Sequence, residues 1–255
     1  MPTVIAEAPL GPGACGWFTG RDPQAPERPF AGGGNLSHHR PHRPVDLASD
    51  RAQVGRLTGT DPSTWHFMQQ VHGAEVGMIR SGTPVGAQLR DVDALVTTEP
   101  DRPLLVQVAD CVPILLAADQ AVGAVHAGRR GVVLGVVDAA VAALERAGVD
   151  PAQVRAAIGP AIGGCCYELP EEERDRALDR LPDEVAKAAT ATTDGGSASL
   201  DLAAAAAAQL TLAGVTVTGR VDACTRCDPQ ARWFSHRGDP AAGRQVGLVQ
   251  RRADR

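Results

Sequence analysis

The chain has 255 residues, 44% of them hydrophobic and 22% charged, which fits a soluble globular protein able to bury a core without disulfides. A net charge of -5 argues against a broad nucleic-acid surface, and aromatics at 3% argue against a stacking platform for single strands. No apolar run approaches the roughly 20 residues of a membrane span, and Met1–Gly13 lacks the basic and apolar regions of a secretory signal, so a cytoplasmic protein without membrane or nucleic-acid partners is expected.

In chain order, residues 1–45 are rich in Gly, Pro, Arg and His, carry Gly32-Gly33-Gly34, and read as turns between short strands. Asp46–Leu57 reads as a short helix, and Thr64–Arg80 as two β stretches around Gln69-Gln70-Val71-His72-Gly73. Asp93–Thr98, Leu104–Val108, Pro113–Ala117 and Ala121–His126 are apolar, partly β-branched runs between turn residues, which predicts buried strands. Val132–Ala147, closed by Gly148, predicts one packed helix. Val154–Ile158 reads as a strand, and Pro170–Leu181 as a charged helix. Ala186–Ser199 is small and polar and reads as a linker or abbreviated helix-loop. Leu200–Leu212 is an Ala-rich helix with Asp201 at its start, Val215–Val221 a strand, and Trp233–Val249 a polar loop with a final strand. Elements mixed without regular βαβ alternation predict an α+β fold, and no long linker divides the chain, so one domain over 1–255 is expected.

Three segments place a metal-capable side chain where an apolar run meets a turn: Gln70-Val71-His72-Gly73, Ala109-Asp110-Cys111-Val112-Pro113 and Val125-His126-Ala127-Gly128. Two imidazoles and a thiolate are three familiar zinc ligands and would leave a fourth position open. Each residue alone reads more readily as an ordinary core side chain, because this spacing is not a compact metal signature. Asp110 is a candidate proton carrier or turn residue. Lys187 is the only lysine. Cationic anchors must therefore come from arginine, and a bias toward Arg weakens any one of them as a signal. Cys224-Thr225-Arg226-Cys227 has no second Cys-x-x-Cys, so it reads as a plain buried pair, and Cys165-Cys166 as packing residues.

Taken together, further segments carry a resemblance. They include Asn35-Leu36-Ser37, Asp93-Ala94-Leu95-Val96-Thr97, His126-Ala127-Gly128-Arg129-Arg130-Gly131, Ile158-Gly159-Pro160, Cys166-Tyr167-Glu168, Asp201-Leu202, Cys224-Thr225 and Phe234-Ser235. With the three segments above, and in the same order, they resemble the laccase-domain family (YfiH-like, polyphenol oxidase). The resemblance runs from about residue 15 to 249. It implies a four-layer α/β/β/α sandwich with mixed sheets and a zinc held by His72, Cys111 and His126, with copper as the alternative ion. It also implies phosphorolysis of purine nucleosides (adenosine, inosine, guanosine or methylthioadenosine) to base and ribose 1-phosphate, with adenosine deamination as an associated activity. Phenol oxidation by copper, peptidoglycan-precursor editing and a non-catalytic metal-binding role are the alternatives. Bidentate phosphate contacts call for guanidinium groups. Arg51, Arg130, Arg237 and Arg244 are the candidates, with Asn35 and Ser37 as neutral substrate contacts; a monomer is favoured. Several positions depart from the family pattern: Arg129 stands where Trp is usual, Asp50-Arg51 where Asn-Arg is usual, Ala206 where Asn is usual, and His236-Arg237-Gly238 where a more basic stretch is usual.

Overall fold

The computed structural model describes residues 5–22, 33–40 and 42–253. The reading of residues 1–45 therefore falls partly outside the described residues, Gly32 included. From the N-terminus come β1 (Ile5–Glu7), β2 (Ala14–Thr19), α1 (Pro44–Thr58), β3 (Phe67–Met68), β4 (Val76–Ile79), β5 (Gln88–Leu89) and β6 (Ala94–Thr97). Next are β7 (Leu104–Val108), β8 (Val112–Ala117), β9 (Val122–Ala127), α2 (Arg129–Val133), α3 (Val136–Arg146) and β10 (Arg155–Ile158). The chain ends with α4 (Glu171–Leu178), α5 (Asp183–Ala189), β11 (Thr190–Thr192), β12 (Ala198–Leu200), α6 (Leu202–Leu212), β13 (Thr216–Arg220) and β14 (Gln245–Arg251). The mixed α/β architecture agrees with the α+β expectation.

Two sheets dominate: a four-stranded one in the order β1-β2-β14-β7, and a six-stranded one in the order β13-β10-β8-β9-β6-β4. The sequence of the central strands explains their place. Every residue of β7, β8 and β9 is buried, so both faces must be apolar and the runs do not alternate. The edge strand β13 alternates exposed and half-buried positions, as one solvated face requires. Phe18, Leu104, Val106, Leu115, Val122 and Val249 form the core shared by the two sheets. Leu105 and Leu248 point the other way, onto Val54 of α1, Leu36 and Trp65. Val96, Ile114, Leu116 and Val125 meet Val137, Val141 and Leu144 of α3 and Ala205, Ala206 and Leu210 of α6.

Two readings need correction. The single helix over Val132–Ala147 is two, because Gly135 takes φ +80, a left-handed conformation that interrupts α-helical bonding. The stretch Ala186–Ser199 is ordered: it completes α5 and forms the β11–β12 hairpin, whose pairing with itself and with Glu168 its polar side chains concealed. Asp201 caps α6 as expected, its carboxylate accepting from Ala204 N at 2.8 Å.

Register brings several loops to one end of the six-stranded sheet. β8 starts and β9 ends there, with Val112 opposite Ala127 and Pro113 opposite His126. β6 starts there too, Ala94 lying opposite Val125, and β10 finishes there, Ile158 lying opposite Ile114. The crossing from β7 in one sheet to β8 in the other, Ala109–Cys111, passes over the same end.

Candidate functional site

His126 sits at the end of β9, 3% exposed, with Cys111 just before β8. His72 arrives from the loop ahead of β4 in a left-handed conformation, φ 58. The ligand-capable atoms of His72, Cys111 and His126 lie within 4.8 Å of one another. Cys111 Sγ is 3.6 Å from His72 Nε2, and the two imidazoles meet edge to face at 4.7 Å between centroids. Gly128 makes this approach feasible: a Cβ there would lie 2.6 Å from His72 Cδ2 and 3.1 Å from Cys111 Sγ.

The organiser of the site is a residue that sequence reasoning did not single out. Asp93 is fully buried at the mouth of β6. Its Oδ2 accepts from Val71 N at 3.2 Å and Gly73 N at 2.6 Å, and its Oδ1 accepts from His72 N at 3.0 Å and His126 Nδ1 at 2.7 Å. One carboxylate thus shapes the His72 loop and fixes the His126 ring, leaving Nε2 to face His72 and Cys111. Burial opposes ionisation of Asp93, but the hydrogen bonds from His126 and Gly73 outweigh it and hold the carboxyl below its usual range. Burial likewise opposes charge on Cys111 and on His126. Their mutual attraction, helped at His126 by Asp93, prevails: the thiol is pulled down to about 6 and the imidazole pushed up to about 9. A thiolate and an imidazolium facing each other is the charge arrangement that a cation displaces when it takes the imidazole proton's place. Gln70 adds a second brace. Its side-chain amide donates to Gln107 O at 2.8 Å and accepts from Gln107 N at 2.9 Å, tying the loop to β7.

Two clefts meet at the triad. The larger, about 530 Å³, is lined by Ser37, Arg40, Gln69, His236 and Arg244 beside His72, Cys111 and His126. The smaller, about 380 Å³, is lined by Asp110, Arg129, Arg130, Tyr167 and Leu202 beside His72 and Cys111. Arg244 is held below its ordinary value first by burial and then by the charge of Arg40, so the larger cleft carries two adjacent cations.

The candidate residues separate by place. Ser37 lines the larger cleft, its hydroxyl accepting from His39 N at 3.2 Å. Asn35 is buried and acts from behind, its Oδ1 accepting from Ser37 N and Arg244 N. Arg130 lines the smaller cleft and is exposed, and its guanidinium has no hydrogen bond or ion pair among the described residues, whereas Arg129 beside it pairs with Glu173 at 2.8 Å. The first of the two helices in place of the expected Val132–Ala147 helix starts at Arg129 and is five residues long, so any anion there depends on the guanidinium. Arg51 lines neither cleft: its guanidinium donates to Leu36 O at 2.9 Å and covers the Phe67 ring at 4.9 Å. Arg237 also lies off both clefts, donating to Glu168 O at 3.0 Å over the Tyr167 ring. Asp110, at φ 86, is engaged at both oxygens, accepting from Thr225 Oγ1 and Arg237 N at 2.6 Å each.

Imidazole, thiolate, imidazole and an open side fit a tetrahedral metal with one exchangeable position. Residues 16–252 match a family described as multi-copper polyphenol oxidoreductase laccase. The chain belongs to that family. Among curated relatives of this laccase family, a purine nucleoside phosphorylase of Streptomyces coelicolor is 41% identical over 209 residues, 81% of this chain and 83% of the relative. One of Corynebacterium glutamicum is 34% identical over 234 residues, 91% of this chain and 92% of the relative. The crystal structure of YlmD from Geobacillus stearothermophilus superposes with a TM-score of 0.85 at 29% identity, covering 99% of this chain and 100% of that one. The YfiH structure from Bacillus licheniformis gives 0.82 at 28% identity, over 94% and 93%. No helix among the described residues is long and apolar enough to cross a membrane.

Proposed function

We propose that the protein is a single-domain, zinc-dependent purine nucleoside phosphorylase whose metal is held by His72, Cys111 and His126. The observation that supports this most is the convergence of three ligand atoms, braced by Asp93, at the junction of two clefts that both carry arginine. The names of the relatives supply the reaction class. A bound zinc would offer a Lewis-acid position for a substrate oxygen and lower the pKa of water there to about 7.

The chain's own residues supply the rest. Arg130, unpaired at the rim of the smaller cleft, binds the phosphate dianion. The larger cleft takes the nucleoside, with the Ser37 hydroxyl, the Gln69 amide and Arg244 around it. A phosphate oxygen forms the new bond to the ribose C1′, the bond from C1′ to the purine nitrogen breaks, and the base leaves with that electron pair and is protonated. Asp110 is a positioning residue in this account, since both its oxygens hold neighbouring loops.

Copper-dependent phenol oxidation finds less support. Multicopper chemistry needs a second cluster rich in imidazole, and among the described residues the only other metal-capable group contains cysteines alone. Cys111→Ala and Arg130→Ala test the proposal together. Cys111→Ala should lose zinc by elemental analysis, along with turnover. Arg130→Ala should keep its zinc while the phosphate KM rises or turnover falls, by about 2–3 kcal/mol in kcat/KM. Full zinc in Cys111→Ala, or a wild-type phosphate response in Arg130→Ala, overturns the corresponding assignment.

A further inference from the structure

The four cysteines read from sequence as a buried pair and as packing residues are neither. Cys165 and Cys166, in the loop after β10, meet Cys224 and Cys227, in the loop after β13, with all four sulfurs within 4.8 Å of one another. The meeting is built into the backbone. Ala161 pairs with Cys224 as a parallel bridge, Thr225 N donates to Ala161 O at 3.0 Å, and Cys166 N turns back to Gly163 O at 2.9 Å. All four are free thiols, and Cys227 is exposed, which is unlike an inert core cysteine.

The spacing identifies what the group fits. Cys165 Sγ and Cys227 Sγ are 3.7 Å apart, far beyond the roughly 2.05 Å of a disulfide. Four sulfurs at about 2.3 Å from one tetrahedral ion are separated by about 3.8 Å along each edge. A cluster of several irons would hold its cysteines further apart than one ion does. Among the described residues no carboxylate or imidazole joins the group, so its donor set there is soft throughout. Gly163 N also donates to Cys224 Sγ at 3.3 Å, the backbone contact that steadies a thiolate.

The geometry points to a second, closed metal site, in which Cys165, Cys166, Cys224 and Cys227 hold one zinc ion as a tetrathiolate. Binding is balanced by release of the four thiol protons, with no redox change. With every position taken by sulfur, the ion has no room for substrate and its role is to clamp two loops. Those loops border the candidate active site. Tyr167, next to Cys166, lines the smaller cleft, and Thr225, next to Cys224, donates to Asp110 beside Cys111.

The test uses the full chain purified under reducing conditions. Zinc per chain, by elemental analysis, should be two in the wild type and one in Cys224→Ser/Cys227→Ser. The deciding measurement is made on Cys111→Ala, which lacks a ligand of the other site, so failure of the triad assignment does not affect it. Titration of that metal-free variant with cobalt(II) should give the intense visible bands and thiolate-to-cobalt charge transfer of a tetrahedral tetrathiolate. One equivalent of zinc should then bleach those bands and shield four thiols from a thiol reagent. The proposal is overturned if Cys111→Ala gives no tetrathiolate spectrum. It is equally overturned if folded Cys224→Ser/Cys227→Ser retains wild-type zinc, or if the chain isolated separately without reductant is lighter by the hydrogens of a disulfide that peptide mapping places among these cysteines. If the double variant does not fold, the cobalt titration decides alone.

Discussion

Replacing Asp93 by Asn isolates the contribution of one buried carboxylate. In the native chain its two oxygens accept from four donors: Val71 N, Gly73 N, His72 N and His126 Nδ1. A carboxamide has one acceptor oxygen and an NH2, so it serves only one side. With its oxygen toward Val71 and Gly73, the NH2 faces the His72 N–H and the His126 ring. His126 can then accept at Nδ1 only by carrying its proton on Nε2, where a metal needs the lone pair. With the oxygen toward His72 and His126, the Val71 and Gly73 N–H groups lose their acceptor. An orphaned buried donor costs about 1–3 kcal/mol; with Val71 exposed and Gly73 half-buried, the two together cost about that much, against the 5–15 kcal/mol typical of a domain. Loss of such a partner behind a ligand lowers metal affinity by about 10- to 100-fold. Urea denaturation of the metal-free variant should show a lower midpoint at unchanged slope, and competition with a chromophoric chelator should show the weaker zinc. A variant matching wild type in both would refute the claim that Asp93 organises the site.

Gly128→Ala should preserve the fold and weaken zinc, because the new methyl meets His72 at 2.6 Å. Overpacking of about 1–3 kcal/mol gives a loss of roughly 5- to 150-fold in the same competition assay, and unchanged affinity would contradict the geometry. Asp110→Asn should reduce kcat while leaving the shape of the pH–rate profile intact, since Asp110 positions Thr225 and Arg237. Loss of one limb of that profile would instead make Asp110 a proton carrier. Asp228 is held below its ordinary value of 3.8 chiefly by its hydrogen bond from Arg232, so the pair's contribution is present above that pH and lost as the pH falls through the depressed value. Asp228→Asn should therefore be less stable than wild type at neutral pH, by about 1 kcal/mol at most given the partly exposed Arg232, with the gap closing in acid. A gap that widens in acid would reverse the assignment.

The candidate metal ligands were legible in the sequence because each sits at the edge of an apolar run: β8 begins after Cys111 and β9 ends around His126. Strand order was not legible, since pairing across 30 or more residues leaves no local periodicity. Asp93, read only as part of a strand and a motif, was given no role in the site for that reason. Its partners lie 20 to 33 residues away, and an acid at a strand entrance looks like any turn residue. The cysteine cluster was hidden more deeply, because Cys165 and Cys227 are 62 residues apart and are brought together by long-range contacts such as the Ala161–Cys224 bridge. Arg51 and Arg237 were over-read: in an arginine-rich chain the residue type does not say whether a guanidinium faces a cleft or a backbone carbonyl. Ala186–Ser199 was under-read, because a short hairpin of small polar residues is held by pairing rather than by an apolar face.

The central claim, phosphorolysis at the triad, is tested most directly by incubating the zinc-loaded protein with adenosine, inosine and guanosine, with and without phosphate, and separating the products by chromatography. The account predicts free base and ribose 1-phosphate in equal amounts, only when phosphate is present, and none from Cys111→Ala. Base released equally well without phosphate, or inosine as the sole product from adenosine, would contradict it.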